Sequence, residues 1–132
     1  PAPHPLDASP IAPVVPETLV APNPTTPRAN PNAASGTTRL HRSSELAAEQ
    51  ALLDRARMAL ARGLSRDALA AVRQHAREFP RGALTAERAG IEVLALAQSG
   101  AREDAVRAAH AYLERYPDSV MVDAVRAVLE QP

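Results

Sequence analysis

YLERYPDSV, residues 112–120, carries a helical pattern up to Tyr116, stops it at Pro117, and offers Asp118 or Ser119 as the cap of a new helix. Proline cannot donate to the helical ladder, and short polar side chains satisfy the orphan N–H groups of a helix start. HAREFPRGA, residues 75–83, places the same aromatic–proline pair at Phe79 and Pro80. A shift of 37 positions carries Gly63 onto Gly100, Asp67 onto Asp104, Ala68 onto Ala105, Ala71 onto Ala108 and Pro80 onto Pro117. Glycine closes a tight turn, alanine lets helices approach closely, the aromatic fills the base of a hairpin, and proline breaks the helix. A repeat near this length marks helical hairpins that bury their apolar faces only against their neighbours.

Working outward, SSELAAEQALLDRARMALARG (43–63) predicts a first helix with Ser43 or Ser44 as its cap and Gly63 as its left-handed end. Its apolar positions Leu46, Leu53, Ala56 and Leu60 recur at helical spacing. A second helix is expected from a Ser65 cap to Phe79, with Leu69, Val72, Ala76 and Phe79 inward. The third is apolar on nearly all sides through Ile91, Val93, Leu94 and Leu96, as suits a helix packed between neighbours. Gly100 then precedes a fourth helix, with Val106, Ala109, Leu113 and Tyr116 inward. A fifth, from Asp118 or Ser119, covers the end. The hairpins span about 44–80 and 82–117, and the closing helix about 119–130, within a folding domain at 44–132.

The remainder has another character. Ten of the 13 prolines fall within the first 31 residues, so residues 1–43 read as a disordered, polyproline-II-like linker unable to form a helix or a central strand. At about 3.1 Å per residue such a linker reaches on the order of 100 Å. The formal charge is zero, with three arginines against two acidic groups in the linker and twelve against thirteen beyond it. Neither part has the excess expected of a nucleic-acid binder or a polybasic membrane anchor. All 15 basic residues are arginine, which with abundant Ala and Pro suggests a GC-rich bacterial genome. Without cysteine there are no disulfides, thiolate chemistry or cysteine-ligated metals. No run of about 18 apolar residues is long enough to span a membrane. The chain begins at Pro1, and a signal peptide, membrane helix or further domain ahead of it is expected.

GLSRDA followed by FP, and GAREDA followed by YP, resemble the tetratricopeptide repeat over about residues 44–131. YLERYPDS is similar to repeats of bacterial cell-envelope proteins, including outer-membrane assembly lipoproteins and periplasmic coordinators. It is also similar to repeat domains that follow a membrane helix and Pro-rich spacer in anti-sigma or sensor proteins. The resemblance implies an all-α fold, a right-handed stack of two hairpins plus a capping helix. It also implies a concave face, lined by the first helix of each pair, that holds a protein or peptide segment. The residues carried over to that face are Gln50, Asp54, Arg57, Glu87 and Gln98.

Catalytic, cofactor and metal sites are not expected. Of the four histidines, His75 falls where the repeat has Tyr112 and is expected to fill space beside the adjoining helix. His110 and Glu114, one turn apart, are two ligands at most, where a tetrahedral metal site needs more. Glu103 and Asp104 complement a helix N-terminus. The arginines at 55, 57, 62 and 66 are flanked by the acidic residues Asp54 and Asp67, and stacking aromatics are lacking. The function expected is a non-enzymatic interaction scaffold. It is periplasmic or membrane-tethered through an upstream segment, with a cytoplasmic location and the regulatory tail of a membrane-linked kinase as alternatives.

Overall fold

The computed structural model describes residues 31–132, and their side chains from residue 35 onward. The described residues form five α-helices and no strand: α1 (Pro31–Ala61), α2 (Ser65–Glu78), α3 (Thr85–Gln98), α4 (Arg102–Arg115) and α5 (Val122–Glu130). The chain divides into two units, Pro1–Thr38 and Arg39–Pro132. Of the first, only the opening turns of α1 are described; the second holds the rest of α1 and all of α2 to α5. Residues 1–30 of the expected linker lie outside the described residues.

α1 starts well before the expected boundary at residue 43. Pro31 occupies its first position, where the missing N–H is one of the orphans anyway, and no proline follows until Pro80. Residues 31–43 are therefore helical. Ser43 and Ser44 lie inside the helix instead of capping it, and the Ser43 hydroxyl donates to the Arg39 carbonyl at 2.9 Å.

The glycine punctuation holds in detail. Gly63 and Gly100 have φ of 75° and 84°, in the left-handed region that costs an L side chain about 1–2 kcal/mol. Leu64 N–H donates to Ala59 O and Gly63 N–H to Leu60 O, while Ala101 N–H donates to Leu96 O and Gly100 N–H to Ala97 O. This paired pattern satisfies the orphan carbonyls of α1 and α3. It also makes Leu64, not Ser65, the residue that enters α2, and no side chain caps that helix.

α2 and α4 match at the 37-residue offset: both have 14 residues, and both end on an aromatic, Phe79 or Tyr116, whose N–H bonds back to residue 75 or 112. Inside each pair the rings are tilted together, His75 with Phe79 at 5.5 Å and Tyr112 with Tyr116 at 5.3 Å. The inward faces are rotated from expectation. α2 buries Ala68, Ala71, Val72 and His75, and α4 buries Ala105, Ala109 and Tyr112. Leu69, Ala76, Phe79, Val106, Leu113 and Tyr116 sit at the margin, half-buried. The cause is close approach: Ala59, Ala68 and Ala95 meet as one cluster of small side chains, so helices touch along alanines and larger residues close the seam.

α3 is central, as its all-round apolar pattern requires. It packs on α2, α4 and α5, and Ile91 joins Leu53 and Ala56 of α1 with Ala71 and Val72 of α2. Its other side meets Ala105, Ala109, Tyr112, Val125 and Val128 through Val93. α5 begins at Val122, later than the Asp118 or Ser119 expected, because Ser119 is held in the preceding turn. The Tyr112 hydroxyl donates to Ser119 Oγ at 2.6 Å, and Met121 packs over Gly90. Arg102 closes the end, donating to Val128 O at 2.7 Å and to Gln131 O. No helix among the described residues is long and apolar enough to cross a membrane.

Ala105 is fully buried between α3 and α4. Ala105→Leu is expected to lower stability by about 1–3 kcal/mol through overpacking, read as a reduced urea midpoint; an unchanged midpoint would place this contact elsewhere.

Candidate functional site

Four of the five residues carried over to the binding face meet along the seam of α1 and α3. Asp54 and Arg57 pair within α1, and Arg57 also pairs with Glu87 of α3. Gln98 Nε2 donates to the Leu60 carbonyl at 3.0 Å, satisfying an orphan acceptor at the end of α1. Gln50 is exposed one turn ahead of Asp54. The result is a polar ledge whose charges already compensate one another across two helices.

Beneath a different face of α1 lies a group the sequence did not announce. Glu49 is only 4% exposed. Its Oε1 accepts from Ala83 N–H and its Oε2 from Leu84 N–H, both at 3.0 Å, so one carboxylate holds the turn that opens α3. A Cβ on Gly82 would come within 2.2 Å of Oε2, so a side chain there would displace the carboxylate. His75 Nε2 lies 3.3 Å from the same oxygen. That contact is badly aligned for hydrogen bonding, and both imidazole nitrogens lack a hydrogen-bond partner among the described residues, as does Arg88 Nη1. The available signal was positional: Glu49 shares the helical line of Leu53, Ala56 and Leu60, where an apolar residue belongs.

Burial pushes the His75 imidazole below its ordinary value of 6.5; Glu49 opposes the shift, while the Arg88 guanidinium adds to it. With no exposed surface, His75 fills space beside the neighbouring helix, as its alignment with Tyr112 anticipated, and cannot reach a substrate. His41, His110 and Glu114 are exposed, and no group of three or more possible ligands gathers among the described residues. His4 lies outside them. A cleft of about 800 Å³ opens beside Glu49, lined by Leu46, Phe79, Pro80 and Ala83 with Arg42 and Arg81. Leu46, expected to face the core, is instead partly open to solvent there.

Glu49→Ala leaves two half-buried N–H groups without their acceptor and should cost about 1–3 kcal/mol in chemical denaturation. Gly82→Ala, which displaces the same carboxylate, should act in the same direction. A full-strength Gly82→Ala protein would contradict the contact. Because His75 takes up a proton less readily folded than unfolded, its contribution to stability is present above about pH 6.5 and is lost as pH falls toward the depressed folded value. The melting temperature should therefore decline from pH 7.5 to 5.5 more steeply in the wild type than in His75→Phe; parallel curves would refute this.

Comparison of the chain with protein-family models, curated proteins and solved structures finds no match.

Proposed function

We propose that the chain is a non-enzymatic scaffold that holds a protein or peptide segment. In this reading it is a tetratricopeptide-like right-handed stack of two hairpins and a capping helix. It forms the tethered C-terminal module of a bacterial membrane-associated signalling or envelope protein. The observation that carries the reading is the equivalence of α2 and α4, with the same length, the same glycine entry and the same aromatic–proline exit at one offset. Units built this way present their first helices, here α1 and α3, side by side. The ledge of Gln50, Asp54, Arg57, Glu87 and Gln98 lies across those two helices and offers both signs of charge to an extended or helical segment.

Selection of a displayed random-peptide library on the full chain should enrich peptides that bind at micromolar Kd. Gln50→Ala with Arg57→Ala should weaken them by about tenfold, or about 1.4 kcal/mol. Failure to enrich any sequence, or binding indifferent to both substitutions, would reject the ledge as the binding face.

A further inference from the structure

A recess of about 380 Å³ opens between α3 and α4, lined by Arg88, Ala89 and Glu92 on one helix and by Ala108, Ala111 and Arg115 on the other. The three alanines leave the space, because their side chains stop short where larger ones would close the seam. Its volume falls among those of sites for small organic molecules, roughly 300–1,000 Å³. The charges in it are uncommitted. Arg88 Nη1 is buried and has no hydrogen-bond partner among the described residues, and a buried donor without an acceptor is costly. His75 lies near enough for this guanidinium to oppose its protonation, yet accepts no bond from it. Neither Arg88 nor Arg115 forms an ion pair with a described residue, Glu92 included. Glu92 stands one turn beyond Arg88 on the same helix, and an arginine ahead of a glutamate at that spacing is the less favourable order for pairing. Arg115 is exposed, with its guanidinium carbon 5.6 Å from the centroid of the Tyr116 ring.

We propose that this recess binds a small organic acid, whose carboxylate is received by Arg88 and Arg115 and whose apolar body lies against Ala89, Ala108 and Ala111. Counted from Gly100, Arg88 is 12 residues back and Arg115 15 residues on, so both arginines belong to the end of the hairpin remote from its turn. Glu92, 8 residues back, lies nearer the turn. One end of the recess is therefore cationic, and a planar guanidinium fork matches a carboxylate with two parallel hydrogen bonds. Two arginines against one glutamate leave a single positive charge. A monoanion neutralises it, whereas a second negative charge on the ligand would meet Glu92. An acceptor at Arg88 also completes the buried donor that the chain itself leaves open. The recess shares no residue with the ledge of Gln50, Asp54, Arg57, Glu87 and Gln98, so the two readings fail separately.

In the ¹⁵N-labelled full chain, the amide signals of Ala89, Ala108 and Ala111 should move saturably as benzoate is raised at constant ionic strength, with a Kd of about 5 mM or tighter. Benzamide, the same ring without the charge, and inorganic phosphate, without the apolar body, should each bind at least about tenfold more weakly. Arg115 is exposed, so Arg115→Gln should keep the fold and weaken benzoate by about tenfold. Arg88→Gln should act in the same direction, and Glu92→Gln should tighten binding. The assignment would be overturned by the absence of saturable movement up to about 50 mM benzoate, by indifference to Arg115→Gln, or by benzamide or phosphate binding as tightly as benzoate.

Discussion

The Glu49 carboxylate is the constraint on which the placement of α3 depends. One side chain from α1 accepts both Ala83 and Leu84 N–H, so a long-range contact fixes the turn between α2 and α3 against α1, beside the turn's own bonds from Gly82 N–H to Phe79 O and from the Thr85 hydroxyl to Gly82 O. Gly82 leaves room for the carboxylate, which occupies the space a Cβ would take. The same oxygen sets the surroundings of His75, so the base of the first hairpin, the start of α3 and the state of a buried imidazole are one arrangement. Losing one partner of such a group costs more than the group contributes when complete, because the remaining donors stay half-buried and unpaired.

The second unit solves the same problem with different chemistry. At the 37-residue offset His75 becomes Tyr112, Gly82 becomes Ser119, Leu84 becomes Met121 and Glu49 becomes Ala86. With no carboxylate at position 86, the turn is held locally: Tyr112 donates to Ser119 Oγ, and Ser119 Oγ accepts from Met121 N–H at 3.4 Å. Tyrosine brings its own hydroxyl, so the second turn needs no group from a neighbouring helix. The repeat thus keeps a place for a polar tie while exchanging the atoms that make it, and the α2–α3 turn alone sets a carboxylate beside a buried imidazole.

What the sequence disclosed depends on the range of each interaction. Gly63 and Gly100 were legible because positive φ is a local demand, and Pro80 and Pro117 because a missing N–H acts at its own position. The central place of α3 was legible because an all-round apolar helix has no other stable location. The inward faces of α2 and α4 were read in part: Val72 and Ala109 are buried as expected, whereas Leu69, Ala76 and Phe79 yield to Ala68, Ala71 and His75, and Val106, Leu113 and Tyr116 yield to Ala105 and Tyr112. The helical residues 31–43 were missed because the density of proline before Pro31 was extended past the last of those prolines. Glu49 stood out only by its place on the apolar line of Leu53, Ala56 and Leu60; its partners were not readable, because they are backbone groups more than thirty residues away. The ledge residues were legible only as positions, since the Arg57–Glu87 pairing depends on how α1 and α3 meet.

α1 therefore presents sides of unequal energetic standing. The inner side, through Glu49, resists change because breaking it strands two half-buried donors. The ledge does not resist in the same way: Arg57 and Asp54 are about half-exposed or more, Glu87 a quarter, and exposed ion pairs contribute only about 0–1 kcal/mol each. In the binding reading proposed above, an incoming segment would exchange these pairs for its own at little cost while Glu49 keeps α3 where it is. A surface whose charges are satisfied but weakly held, on a backbone fixed by a strongly held group beneath it, combines a preorganised frame with replaceable contacts. Selective binding by shape requires both, because ordering a loose frame on association would consume the free energy that the contacts release.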